Sequence, residues 1–133
     1  MIVTSLYASL LALLFVPLCI RVIRRRRQLR VGVGDGGDPV LLRMQRVQGN
    51  FAEYVPFALL LIALAEAQGL PFEIVHAFGL TLLIARVLHA WGVSREPENL
   101  RWRVIGMALT FSVLVFGAAA NLIMVAMIWL FAE

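Results

Sequence analysis

Four long apolar stretches constrain this chain more than any other feature of its sequence. They cover about residues 2–23, 39–67, 71–93 and 103–131, and each has room for the roughly 20 apolar residues of a bilayer-crossing helix. With 62% hydrophobic and only 15% charged residues, the chain is far more apolar than a soluble domain. The sequence therefore predicts an all-α integral membrane protein with a single domain over residues 1–133. The first stretch lacks the basic flank and cleavage site of a signal peptide, so we expect it to be retained as a helix.

The connections between the stretches predict how the helices are arranged. They are 24-RRRRQLRVGVGDGGDP-39, 66-EAQGLP-71 and 94-SREPENLRWR-103, and short connections favour an antiparallel four-transmembrane-helix bundle. We expect the arginine run to end the first helix and Asp38-Pro39 to start the second, with the glycine-rich segment forming a turn. Arginines collect in the first and third connections, which places these in the cytoplasm and both termini outside it.

The basic charge of the chain has a membrane explanation. All 12 basic residues are arginine and the net charge is +4, which in a soluble protein would suggest nucleic-acid binding. Here the arginines flank apolar stretches, where they orient helices and contact anionic lipid headgroups. We therefore expect membrane lipids rather than nucleic acid as partners, and we expect no metal site.

The second apolar stretch begins with an unusual polar face, 43-RMQRVQGNFAEYVPFALLLIALAE-66. At about 100° per residue, one stripe of the predicted helix holds most of its polar groups: Arg43, Arg46, Asn50, Glu53, Tyr54 and Phe57. Gln48 falls on nearly the opposite side. A helix over 39–67 is about 43 Å long and overruns the ~30 Å hydrocarbon core, so the arginines can reach the cytoplasmic interface.

Two interpretations of this face remain open from the residues alone. Glu53 lies deeper than the arginines and needs a cationic partner, because an unpaired acid in a membrane is costly. In the first interpretation Arg46 or Arg86 pairs with Glu53, Asn50 bridges, and the network only joins helices. In the second, the same groups form an anion-binding pocket that opens to the cytoplasm. Arg86, His89 and Val93 share one face of the third helix and would add to that pocket.

The pattern R-x-x-R-x-Q-x-N-x-x-E-Y-x-P, from Arg43 to Pro56, resembles the second-helix signature of the MAPEG family. These are membrane-associated proteins in eicosanoid and glutathione metabolism. The string 85-ARVLHAWG-92 resembles the third helix of the family, and the four apolar stretches match throughout. The DGG loop and the RWR after the third helix resemble the short bacterial inner-membrane branch, which implies a bacterial inner-membrane location.

The resemblance implies a homotrimer that binds glutathione as a co-substrate between neighbouring protomers, near the cytoplasmic face. Residue by residue, it implies that Glu53 receives the amino group of glutathione and Arg46 a carboxylate. Asn50, Tyr54 and His89 would complete that wall. Arg26 and Gln48 would bind from the adjacent helix face of another protomer.

The implied activity is that of a glutathione transferase or peroxidase acting on a hydrophobic electrophile or a lipid hydroperoxide. A nearby guanidinium would lower the pKa of the glutathione thiol. Arg101 matches the thiolate-stabilising arginine of the family, although the alignment slips by one residue there and Arg103 stays an alternative. Two third-helix tyrosines of the eicosanoid synthases are His89 and Val93 here, and valine cannot donate a hydrogen bond. A non-enzymatic trimer that binds lipid or a small anion is therefore the competing hypothesis.

Overall fold

The protein forms four long α-helices joined by short connections. The computed structural model describes residues 1–95 and 97–131, so the predicted domain over 1–133 includes three residues outside that part. The helices are α1 (Ile2–Leu29), α2 (Pro39–Ala67), α3 (Phe72–Ser94) and α4 (Leu100–Phe131). All four are long and apolar enough to cross a membrane, and the described residues contain no strand.

Helix α1 is longer than predicted, because the arginine run forms part of its last two turns instead of following the helix. The helix extends past Ile23 to Leu29, and Arg30 closes it in a left-handed conformation with φ 54°. Arginine is a good helix former, so a run of four need not break a helix outside the bilayer. The predicted bound at Ile23 was therefore too early, although Arg26 and Arg27 do lie in the last turn of the helix as expected. Similarly, α4 begins at Leu100, three residues before the predicted start.

Helix α2 begins at Pro39 and ends at Ala67, as the sequence predicts. Asp38 precedes Pro39, and its Oδ1 accepts a 2.6 Å hydrogen bond from the Leu41 backbone N–H. Arg25 near the end of α1 donates to the same carboxylate, with Nη2 2.6 Å from Oδ2. The hydrogen bond from Arg25 and the one from Leu41 hold the pKa of Asp38 below its ordinary value. This ion pair fixes the end of α1 against the start of α2.

Helices α2 and α3 form the centre of the bundle. Helix α1 packs against both of them on one side and α4 packs against both on the other, while α1 and α4 do not touch within residues 1–95 and 97–131. The core between the helices is apolar and includes the stacked rings of Phe15 and Phe51, whose centroids are 5.1 Å apart. Most large side chains that remain exposed are apolar as well, as expected for a surface that faces lipid.

The two ends of the bundle differ in chemistry. We call the end with connections 30–38 and 95–99 the arginine-rich end. At the other end, the Glu66 carboxylate accepts hydrogen bonds from the backbone N–H groups of Val3 and Thr4 at 3.1 and 2.8 Å. Glu66 thereby satisfies donors in the first turn of α1 that have no partner within the helix. The groups Arg46 and Glu53, which have no hydrogen-bond partner within the described residues, lie toward the arginine-rich end.

Candidate functional site

A cavity of about 830 Å³ lies between α2, α3 and α4 at the arginine-rich end. The first half of α2 forms one wall, and the end of α3 with the start of α4 forms the other. It is lined by Leu42, Arg43, Gln45, Arg46, Gly49, Asn50, Glu53, Tyr54, His89, Val93, Glu98 and Arg103. Three arginines and two glutamates therefore face one space, together with neutral hydrogen-bonding groups.

The α2 wall carries the stripe that helical periodicity predicts. Arg46, Asn50 and Glu53 follow one another at spacings of four and three residues, so their side chains leave the same face of the helix. Arg46 and Glu53 are both exposed and do not pair with each other, and neither forms a hydrogen bond within the described residues. The wall therefore presents a cationic and an anionic group about 10 Å apart along the helix axis.

A buried guanidinium lies directly behind this wall. Arg86 of α3 is fully buried, and its Nη2 donates a 2.7 Å hydrogen bond to Oδ1 of Asn50. A longer contact of 3.4 Å joins its Nη1 to Thr110 Oγ1, and the guanidinium lies over the ring of Phe51. No carboxylate pairs with Arg86 in the part of the chain that the structure describes. The first interpretation is therefore half right, because Asn50 does join α2 to α3 but Glu53 remains outside that network.

His89 reaches the cavity from α3, one turn after Arg86. It is 4% exposed, and its Nδ1 has no hydrogen-bond partner among the described atoms. A buried polar atom without a partner costs about 1–3 kcal/mol, which a hydrogen bond from or to a ligand would offset. Val93 lines the same wall and offers only apolar contact. On the facing wall, Tyr54 packs edge-on against Phe111 with ring centroids 5.5 Å apart.

The two arginines proposed for thiolate stabilisation lie in different places. Arg103 lines the cavity, and its Nη1 is 2.8 Å from Oε1 of Glu98. Arg101 is exposed in the first turn of α4 and is not among the residues that line the cavity. Of these two, only Arg103 lines the cavity of its own chain. The role of Arg101 stays a prediction.

Arg26 and Gln48 lie away from the cavity of their own chain. Arg26 is at the end of α1, and its Nη1 donates a 2.7 Å hydrogen bond to the backbone carbonyl of Gly32. Gln48 is half-buried on the side of α2 that faces away from Asn50. Neither residue can meet a ligand in this cavity unless it comes from a second copy of the chain.

Sequence reasoning did not single out Glu98 or Gln45 as site residues. Glu98 lies in the non-helical connection before α4, where no periodicity indicates direction, and only its five-residue distance from Arg103 hinted at an ion pair. Gln45 lines the cavity and also donates from Nε2 to the Gly34 carbonyl at 2.8 Å, a contact that depends on how the connection 30–38 folds back. Among the described residues, no group of three or more His, Cys, Asp and Glu side chains is placed to hold a metal ion.

Comparison with known proteins gives one consistent result. The model of the MAPEG family matches residues 4–123 of the chain. The inner membrane protein YecN of Escherichia coli K12 is 39% identical over 120 residues, which cover 90% of both chains. YecN of Escherichia coli O6:H1 matches with the same identity and coverage. The matched region includes every residue that lines the cavity.

Proposed function

The chain belongs to the MAPEG family of four-helix membrane bundles, and on that premise we propose that its cavity binds glutathione. In this proposal glutathione is the co-substrate of a transferase or peroxidase reaction with a hydrophobic electrophile or a lipid hydroperoxide. The protein acts in the bacterial inner membrane as a homotrimer, with both termini outside the cytoplasm and the cavity near the cytoplasmic face.

The observation that carries the proposal is the unpaired Arg46 and Glu53 in one cavity. Glutathione is a zwitterion with an ammonium group, two carboxylates and a thiol. Glu53 can accept hydrogen bonds from the ammonium group while Arg46 binds a carboxylate through a bidentate, charge-assisted contact. A cavity for a simple anion would not need an acid beside its arginines.

The thiol of glutathione requires a cationic neighbour for its chemistry. A free thiol has a pKa of about 8.5 and is mostly protonated at neutral pH, and a nearby guanidinium lowers that value. The position of Arg103 on the cavity wall supports it as that neighbour, with Arg101 as the candidate from another copy of the chain. The thiolate would attack an electrophile that reaches the cavity from the bilayer.

Glutathione binding is tested by the thermal stability of the protein in a neutral maltoside detergent. A ligand that binds only the folded protein at 100 times its dissociation constant adds about 2.7 kcal/mol, so the unfolding midpoint should rise with millimolar glutathione. Glu53→Gln keeps the size of the side chain, and we expect it to abolish most of that rise. Glu73→Gln is the matched control, because Glu73 is exposed in the first turn of α3 at the other end of the bundle.

Two results would contradict the proposal. The first is a wild-type midpoint that does not respond to millimolar glutathione, and the second is an equal response in wild type and Glu53→Gln. Conjugation of an aromatic chloride, measured for Arg101→Gln and Arg103→Gln side by side, then tests the reaction itself and tells the two arginines apart.

A second function is favoured by one specific feature, the apolar Val93 on the cavity wall. A hydroxyl at this position would help to orient the thiol or the electrophile, and valine provides none. The alternative is a trimer that binds lipid or a small anion in the cavity without chemistry. This alternative predicts that the unfolding midpoint rises when lipid or a small anion is added, while the rates of conjugation and peroxide reduction stay at the uncatalysed level.

A further inference from the structure

A second, smaller cleft lies on the opposite side of the α2–α3 pair from the cavity. It has a volume of about 210 Å³ and is formed where α1, α2 and α3 meet at the arginine-rich end. Its polar lining consists of Arg21, Arg43 and Ser94, and Val40 and Met44 supply an apolar floor. None of these positions except Arg43 touches the cavity described above.

Arg21 is the principal charge of this cleft. It lies within the apolar part of α1, one turn before the arginine run, and is half-buried. Its one hydrogen bond goes to a neutral group, the Ser94 hydroxyl oxygen, which accepts from Nη1 at 3.3 Å. Within the described part of the chain no carboxylate pairs with Arg21. Most donors of this guanidinium are therefore available to a ligand.

The depth of the cleft follows from the ion pair between Arg25 and Asp38. That pair joins α1 and α2 at the level where both helices leave the bundle. Arg21 lies four residues back along α1 and Arg43 five residues forward along α2, so both are about 6–8 Å closer to the membrane centre. The two guanidiniums therefore share one level, at the boundary between the arginine run and the apolar body of the bundle.

Apolar surface continues from the cleft toward the membrane centre. On α1, Leu13 lies eight residues before Arg21 and is 71% exposed. On α3, Val87 lies seven residues before Ser94 and is 46% exposed. These spacings place them on the faces of α1 and α3 that carry Arg21 and Ser94. A polar head in the cleft would thus have room for acyl chains beside it.

We propose that this cleft binds the phosphate of an anionic phospholipid, with Arg21 as its main ligand and Ser94 as a further donor. Guanidinium groups bind phosphate oxygens through paired, charge-assisted hydrogen bonds, and a serine hydroxyl adds a third donor. The lipid rather than a soluble phosphate is the occupant because the cleft lies at interface depth and opens onto exposed apolar surface. The site does not depend on glutathione binding in the larger cavity.

The proposal is tested by native mass spectrometry of the protein in maltoside detergent, after incubation with phosphatidylglycerol or with phosphatidylcholine of the same acyl chains. We expect wild type to retain phosphatidylglycerol in preference to phosphatidylcholine. Arg21→Gln should reduce the retained phosphatidylglycerol by about tenfold, because it removes a charged hydrogen-bond partner. Arg21→Lys keeps the charge and should retain an intermediate amount.

Arg27→Gln is the matched control, since it makes the same charge change on the same helix at an exposed position outside the cleft. Equal retention by Arg21→Gln and wild type would overturn the proposal, and so would an equal loss in Arg27→Gln, which would indicate diffuse charge attraction. Displacement of the lipid by millimolar inorganic phosphate would overturn the lipid as occupant. If Arg21→Gln does not fold, Ser94→Ala provides the same comparison with a smaller expected loss.

Discussion

The guanidinium of Arg86 is the most unusual single group in the molecule. It is fully buried, it is cationic at neutral pH, and its best partner is the neutral amide oxygen of Asn50 at 2.7 Å. A buried charge without a counterion is costly, and an anion in the adjacent cavity would reduce that cost. If the cavity binds an anion as proposed, Arg86 should link the stability of the bundle to that binding.

We expect Arg86→Met to separate these two roles. Replacing a buried charge by an apolar side chain of similar volume is often neutral or stabilising, so the unfolding midpoint of the ligand-free protein should fall little or rise. Glutathione should bind more weakly, because Asn50 loses the donor that positions its side chain in the cavity wall and a nearby positive charge is removed. Both quantities are measured by thermal unfolding at increasing glutathione concentrations.

Thr110→Val is the control for this experiment. It removes the weaker partner of Arg86, at 3.4 Å, and leaves the guanidinium in place, so binding should change little. If Arg86→Met instead lowers the midpoint strongly and leaves glutathione binding unchanged, Arg86 only joins the helices.

At the scale of single residues, the part of the site that lies on one helix could be predicted and the part that depends on two could not. Arg46, Asn50 and Glu53 line one cavity because helical periodicity alone puts them on one face. The partner of Glu53 was left open between Arg46 and Arg86, because that contact depends on how α3 is rotated against α2, and neither arginine pairs with it within the described residues. Glu98 was missed because a non-helical connection has no periodicity to reveal its direction.

At the scale of helices, the contact between α3 and α4 determines the shape of the second cavity wall. Gly106 of α4 lies against the backbone of α3. A Cβ atom there would be 2.7 Å from the Ala85 carbonyl oxygen and 2.8 Å from the Cβ of His89. Only glycine permits this approach, and the approach holds His89 against the cavity.

Gly106→Ala should therefore destabilise the protein, although alanine is the better helix former. Overpacking of a close contact costs about 1–3 kcal/mol, which lowers the unfolding midpoint, and displacement of His89 should also weaken glutathione binding. Gly117→Ala on the same helix is the control, because its Cβ would meet the nearest side-chain atom, Leu61 Cβ, at an ordinary 3.5 Å. If Gly106→Ala and Gly117→Ala have equal unfolding midpoints, α3 and α4 can move apart without loss of stability.

Helix limits were predictable where the sequence contains a stereochemical signal. Asp38 and Pro39 provide a cap and a first-turn proline, and α2 begins there. The end of α1 was predicted at Ile23 because polarity changes there, yet polarity limits the membrane span and not the helix. The helix ends at Arg30, which adopts a left-handed conformation. An arginine in the sequence gives no sign of that conformation.

At the scale of the whole molecule, the proposed residues fall into two sets on different faces. Arg46, Asn50 and Glu53 face the cavity, and Arg26 and Gln48 do not. One chain therefore offers an incomplete set of the proposed glutathione ligands, and a ring of copies in head-to-tail contact would complete each set. This division supports the proposal of an oligomer in which neighbouring copies complete each site, such as the proposed trimer.

Mixed oligomers test the division directly. One variant carries Arg26→Ala and Gln48→Ala, the other carries Arg46→Ala and Glu53→Ala, and we expect neither to bind glutathione alone. Co-expressed in equal amounts, they should regain about a quarter of the wild-type sites, because a random head-to-tail contact joins two intact faces in one of four combinations. The measurement is the number of glutathione molecules bound per chain, with the copy number taken from native mass spectrometry.

Two outcomes would contradict the shared site. If mixtures that contain three copies regain no binding, the site lies within one protomer. If the Arg26→Ala, Gln48→Ala variant binds fully on its own, the second face contributes nothing.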